Sequence, residues 1–134
     1  RVVIVKDRPE IGGVAADHEG WLDWDDVLAG ADPVERLVAY GAARLALVEV
    51  CGEVLLAADA ESAQRYVHPS YLLSHTHVTM LLRQAKVAGD PGLLADALLA
   101  TLGADLVMHQ LRVRGHTLAD LAAVWEQLVR RVTA

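Results

Sequence analysis

The chain has 134 residues, of which 54% are hydrophobic and only 4% are aromatic, with no Phe. This length fits one domain with a sizeable core, and the composition predicts that Leu, Val and Ala fill that core. The formal net charge of −6 argues against this chain binding nucleic acid by itself, because phosphate contacts need a Lys/Arg surface. The single Cys excludes an internal disulfide and, without a signal peptide, favours a cytoplasmic location. No apolar run is expected to reach the about 18 residues of a membrane span.

The first 31 residues are expected to form an arm or linker. Residues 2–5 are a β-branched run without a second strand to pair with. An acidic stretch over 17–26 leads into a short helix expected near 21–28, which holds two of the three Trp residues. Because the chain starts at Arg1 rather than Met, we expect it to be a fragment that lacks an upstream segment, and a processed N-terminus is the alternative.

The middle of the chain predicts three helices. An Asp-Pro pair begins the first, over 32–50, which carries apolar side chains at three- and four-residue spacing. Gly41 within it is either a close-packing point or a weak spot, and the helix either continues past residue 50 or kinks at Gly52. Two further helices are expected over 61–67 and 70–87, separated by a His-Pro break.

The last third of the chain predicts two long apolar helices joined by a tight turn. An Asp-Pro pair begins the first, over 90–114, and Gly115 ends it in a left-handed position. Thr117 and Asp120 form a capping box that begins the second, over 117–132. The predicted fold class is therefore all-α, a bundle of five to six helices whose last two are long and antiparallel.

Both final helices are apolar on more than one stripe, so we expect each to pack on its own domain and on a second copy of the chain. A monomeric core is the alternative. Trp125 is a good interface anchor by residue type. Asp105 and His109 share a helix face, where they orient a ligand or form a satisfied polar pair. The candidate interface residues are Leu94, Leu98, Leu102, Asp105, His109, Leu121, Trp125, Leu128 and Val132.

The middle helices mix apolar and a few polar side chains, as ligand pockets do. Arg44 either binds an anionic group, pairs with Glu49 or Glu53, or extends to water. His75 and His77 are two apart and point about 200° from each other on a helix, so they cannot hold one ion. We expect one to face the pocket and the other solvent. The candidate pocket residues are Tyr40, Arg44, Val48, Tyr66, Tyr71, Leu72, His75, Met80 and Met108.

No pattern in the sequence indicates catalysis. It contains no nucleophile elbow, no phosphate-binding Gly loop and no set of metal ligands. Cys51 lies on an apolar helix, which is more typical of an inert buried thiol than of a nucleophile. We therefore expect no enzymatic activity, no catalytic residue, no metal site and no cofactor.

Three segments carry a family resemblance. They are Asp-Pro-Val-Glu-Arg-Leu at 32–37, Asp-Pro-Gly-Leu-Leu-Ala-Asp-Ala-Leu-Leu-Ala-Thr-Leu at 90–102, and Arg-Gly-His-Thr-Leu-Ala-Asp-Leu at 114–121. Their order and helix starts resemble the C-terminal domain of tetracycline-repressor-like (TetR family) transcriptional regulators, over about residues 32–134. The resemblance implies a homodimer in which the last two helices form a four-helix bundle with the partner's pair, and a small apolar or amphipathic effector.

The resemblance also implies DNA binding through an N-terminal helix-turn-helix. Residues 1–31 contain neither a basic recognition helix nor the spacing for one, so this module is expected upstream of the chain. The predicted function of 32–134 is effector sensing and dimerisation in such a regulator. The alternative is a helical protein-interaction or assembly domain without an effector, whose centre would be fully packed. Neither hypothesis names the effector, the operator or the sign of regulation.

Overall fold

The computed structural model describes residues 32–59 and 65–134, so the predictions for residues 1–31 and 60–64 lie outside the described residues. The described part is all-α, which confirms the predicted class, and it contains no strand. Its elements in chain order are α1 (Pro33–Asp59), a 3-10 helix (Arg65–Val67), α2 (Pro69–Gln84), α3 (Pro91–Ala100), α4 (Ala104–Arg112) and α5 (Leu118–Val132).

Helix α1 organises the packing of the other elements. It extends beyond residue 50 to Asp59 and is kinked at Cys51, whose φ of −116° and ψ of 18° are not helical. Helices α2, α4 and α5 pack on α1, while α3 packs on α2. The last helix therefore lies against the first described helix, and α3 reaches the bundle through α2.

The core is mostly aliphatic, as the composition predicts. Removing side chains of this kind from water stabilises a fold by about 1.5–3 kcal/mol each. The buried hydrophobic residues are Leu37, Leu45, Val48, Val78, Leu81, Leu82, Ala95, Leu98, Leu99, Leu102, Ala104, Val107, Met108, Trp125 and Val129.

The helix ends in the last third match the local sequence signals. The Asp90 side chain accepts a hydrogen bond from the Leu93 N–H at 3.0 Å. The Thr117 hydroxyl accepts from the Asp120 N–H at 3.1 Å, and the Asp120 carboxylate accepts from the Thr117 N–H at 2.9 Å. This reciprocal pair is the predicted capping box. Gly115 follows α4 with a φ of +76°, a left-handed conformation that favours glycine.

The prediction of one helix over 90–114 is wrong. Helix α3 has 10 residues and α4 has nine, with a turn at 101–103 between them. The three N–H groups of this turn bond to carbonyls three residues back, which tightens the chain into 3-10 geometry. Gly103 then leaves the helical region, with a ψ of 137°, before α4 begins. The apolar periodicity does not reveal this break, because Leu102 in the turn is buried, as it would also be on the apolar face of one continuous helix.

The same stretch meets a length-and-composition test for a membrane span, contrary to the expectation from apolar run length. Pro91–Arg112 reaches a mean hydropathy of 1.4, and 39% of the window is buried inside the fold. Core helices pass such a test as well, and one or two such helices weigh little. In the structure the turn at 101–103 divides the stretch, and Leu98 and Val107 on either side of the turn are core residues.

Candidate functional site

An open cavity of about 500 Å³ lies beside α2, α3 and the 3-10 helix. Its volume is within the range of small-molecule sites, about 300–1,000 Å³. Both apolar and polar side chains line it. The lining residues are Tyr66, Tyr71, Leu72, His75, Asp96 and Ala100.

The start of α2 orients the first wall of the cavity. The His68 ring nitrogen Nδ1 accepts a hydrogen bond from the Ser70 N–H at 3.1 Å, and Pro69 occupies the first turn, where its missing N–H is not needed. From this start, Tyr71 and His75 are four residues apart and share one helix face. Their rings stack with centroids 6.0 Å apart and planes at 27°.

A hydrogen-bond network joins this wall to α3. The Tyr71 hydroxyl donates to Asp96 Oδ1 at 2.5 Å. His75 Nε2 lies 3.0 Å from the Gly92 carbonyl oxygen and 3.4 Å from Asp96 Oδ1. A carbonyl oxygen can only accept, so the His75 proton lies on Nε2 and points to α3. Two side chains of α2 are thereby held against one turn of α3.

Asp96 carries the negative charge of the cavity. Its side chain is 50% exposed, and its other oxygen, Oδ2, has no hydrogen-bond partner among the residues that the structure describes. Burial, then the hydrogen bond to Asp96 and the charge of Asp96, raise the pKa of Tyr71 well above its ordinary value. The Tyr71 phenol therefore stays protonated, and stays a donor to Asp96, throughout the neutral range.

Tyr66 supplies a second aromatic wall. Its ring meets that of Tyr71 edge to face, with centroids 5.2 Å apart and planes at 89°. The Arg65 guanidinium lies over the Tyr66 ring, 5.6 Å from its centroid. The two tyrosines thus form an aromatic corner beside the carboxylate.

The structure brings together four of the nine predicted pocket residues. The four that line the cavity are Tyr66, Tyr71, Leu72 and His75. The other five lie elsewhere: Val48 and Met108 in the core, Met80 exposed on α2, and Tyr40 and Arg44 half-buried on α1. Periodicity identified helix faces that are buried or polar, but it did not say which faces meet at a cavity.

Two of the alternatives considered for the polar residues are not realised. Glu53 pairs with Arg112 at 2.6 Å and not with Arg44. His77 was expected to face solvent if His75 faced a pocket, but it is half-buried, with its ring centroid 5.5 Å from that of Tyr40. Burial, with a smaller contribution from Arg36, lowers the pKa of His77.

Sequence reasoning missed Asp96 and Ala100. They lie four residues apart on α3, and Gly92, whose carbonyl accepts from His75, precedes Asp96 by four more. This row faces the Tyr71–His75 row of α2. The sequence signal that could have identified these residues is their four-residue spacing on one helix face around Asp96, which is the single acidic residue within α3.

The predicted dimer residues do not form one exposed face. Leu98, Leu102 and Trp125 are buried within the described part of the single chain. The Trp125 indole N–H donates to the Leu37 carbonyl oxygen at 3.0 Å, which anchors α5 to α1. The half-buried members of the set pack against the core; they are Leu94, Leu121, Leu128 and Val132.

Asp105 and His109 are both exposed, and no ion pair joins these two described residues. Asp105 Oδ1 accepts from the Leu106 N–H at 2.8 Å, within the first turn of α4. An exposed apolar stripe lies on α1, where Val50 and Val54 are 81% and 71% exposed and Leu47 lies one turn before them.

Over residues 32–59 and 65–134, no group of three or more His, Cys, Asp or Glu side chains is placed to hold a metal ion. The comparisons with known proteins gave no match. No family model matches the chain, and no curated protein or solved structure is significantly similar to it.

Proposed function

We propose that residues 32–134 form the effector-sensing and dimerisation domain of a TetR-like transcriptional regulator, with the effector bound in the cavity beside α2 and α3. The observation that carries the proposal is the pairing of an open cavity with a fixed polar network. Tyr71 and His75 on one helix hold Asp96 on the next, and the space beside them has the size and mixed lining of a ligand site.

The packing suggests how binding at this cavity is transmitted. Helix α3 packs on α2, and a turn at 101–103 connects it to α4, which packs on α1. A ligand that separates Tyr71 from Asp96 shifts α3 relative to α2 and pulls on α4 through that turn. Such coupling requires that the effector bind two arrangements of the domain with different affinity. DNA binding belongs to a separate helix-turn-helix module.

A second candidate function is an assembly domain without an effector. The observation in its favour is the exposed apolar stripe of α1, made of Leu47, Val50 and Val54. Exposed apolar patches of this kind mark interaction surfaces. Under this hypothesis a Val50→Glu substitution disperses the oligomer, and no small molecule enters the cavity.

Native mass spectrometry of the purified chain, with two matched variants, tests the proposal. Ala100→Leu places a larger side chain in the lining of the cavity, whereas Ala97→Leu adds the same side chain at an exposed position of α3 outside it. We expect a dimer carrying a reproducible extra mass in the wild type and in Ala97→Leu, and no extra mass in Ala100→Leu.

Three outcomes contradict the proposal in different ways. A chain that stays monomeric across micromolar concentrations refutes dimerisation. An adduct that Ala100→Leu retains refutes the cavity as its site. A dimer without an adduct, which Val50→Glu converts to monomer, favours the assembly domain.

A further inference from the structure

The hydrogen bonds that join Tyr71, His75 and Asp96 use the donors of these three side chains and leave acceptors. The Tyr71 hydroxyl proton is used by Asp96, and the His75 Nε2 proton is directed to the Gly92 carbonyl with Asp96 beside it. What remains at these three side chains are acceptors: Asp96 Oδ2 and the second ring nitrogen of His75. A ligand that uses them must donate hydrogen bonds or carry positive charge.

The charge of the cavity has the same sign as this surplus of acceptors. Asp96 is the single formally charged side chain among those lining it, and no Lys or Arg of the described chain forms an ion pair with Asp96. The group nearest to compensating it is His75, with Nε2 at 3.4 Å. The Asp96 side chain is 50% exposed, so water partly screens this carboxylate, but its charge still favours a cation. An anion is repelled there.

The aromatic walls add a second attraction for cations. The faces of tyrosine rings carry negative potential, and a cation within about 6 Å of the centroid is stabilised. Tyr66 and Tyr71 meet at 89°, so a group in their corner contacts both rings. The Arg65 guanidinium already lies over the Tyr66 ring, which illustrates this attraction, although its own charge opposes a second cation on the same ring.

From these three observations we infer that the cavity takes an organic cation, an amine or quaternary ammonium that bears apolar groups. The ammonium lies against Asp96 and the tyrosine corner, and the apolar groups contact Leu72 and Ala100. This inference rests on the proposed function, because it assumes that the cavity is a ligand site, and it adds the chemical class of the ligand.

The test is a titration of the whole chain with three probes, in which isothermal titration calorimetry measures the affinity and the NMR signals of Tyr71 and Ala100 report the binding site. The probes are benzyltrimethylammonium, the uncharged benzyl alcohol and the anionic benzoate. We expect the cation to bind about tenfold or more tightly than the alcohol, because its positive charge is attracted to the Asp96 carboxylate and to the tyrosine ring faces, whereas the alcohol is neutral. Benzoate is expected to bind most weakly.

A matched pair of variants separates the carboxylate of the cavity from the overall negative charge. Asp96→Asn removes the charge at the site, while Asp105→Asn makes the same change on the exposed surface of α4. We expect Asp96→Asn to weaken binding of the cation about tenfold and to leave binding of the alcohol unchanged. Asp105→Asn is expected to leave both unchanged.

Each contrary result has its own meaning. If the alcohol binds as tightly as the cation and Asp96→Asn changes neither, the cation class is refuted and the cavity remains a ligand site. If both Asn variants weaken the cation equally, the attraction belongs to the whole chain and the inference falls. If no probe at millimolar concentration shifts the Tyr71 or Ala100 signals, and native mass spectrometry finds no bound mass, the inference and the proposed function fail together.

Discussion

Replacing Gly41 with Ala tests a close contact between α1 and α5. An ideal Cβ at position 41 overlaps the Trp125 indole at Cε2 and Nε1. The ring has little room to move, because it is 3% exposed and its N–H is bonded to the Leu37 carbonyl. The added methyl group must therefore push α5 away from α1 or turn the indole out of its site.

The magnitude follows from three opposing contributions. Forcing extra volume into a packed core costs about 1–3 kcal/mol, and disturbing the indole hydrogen bond costs about 1 kcal/mol more. Ala is favoured over Gly inside a helix by about 1 kcal/mol. The free energy of unfolding of Gly41→Ala is thus expected to be about 1–3 kcal/mol lower than that of the wild type.

Urea denaturation followed by far-ultraviolet circular dichroism measures this difference. Gly52→Ala is the control, since it makes the same change in the same helix. Its Cβ meets the Met108 side chain at Sδ and Cγ, and this unbranched side chain adapts within the core more readily than the rigid Trp125 indole. We expect Gly52→Ala to lose less stability than Gly41→Ala. If Gly41→Ala matches or exceeds the wild type in stability, Trp125 does not pack against Gly41 and the arrangement of α1 and α5 is wrong.

Three further perturbations test other parts of the structure. The alkaline absorbance titration of the phenols assigns Tyr71 as the titration that is missing from Tyr71→Phe. Because Asp96 contributes to the raised pKa of Tyr71, Asp96→Asn should move that titration to lower pH. An unchanged curve in Asp96→Asn would contradict the hydrogen bond. Since the folded state lowers the pKa of His77 below its ordinary 6.5, the unfolded chain takes up the proton first on acidification. The wild type should therefore lose stability relative to His77→Phe as the pH falls below 6.5, and level off below the folded pKa; a pH-independent difference would argue against burial of His77. Thr117→Ala removes the cap of α5 and should lower the free energy of unfolding by about 1 kcal/mol in thermal or urea denaturation, with Thr117→Ser as the near-neutral control.

Features that depend on neighbours in the chain could be predicted from the sequence. The caps at Asp90 and Thr117 and the left-handed Gly115 each depend on hydrogen bonds or dihedrals within a few residues, so residue types at short spacing suffice to predict them. The all-α class followed from apolar spacing and from the scarcity of aromatic and β-branched runs. These signals are local, and they place helix ends better than they place helices in space.

Features that depend on which helix faces which were decided by the tertiary structure alone. The Tyr71–Asp96 bond joins residues 25 apart, and the Trp125–Leu37 bond joins residues 88 apart. No periodicity within one helix specifies such a partner, so Asp96 was missed and the bond from Trp125 to α1 was not predicted. Gly41 illustrates the boundary between the two levels. From the sequence, Gly41 could either weaken the helix or allow a close contact with another helix. The Trp125 indole packed against it shows that it allows a close contact.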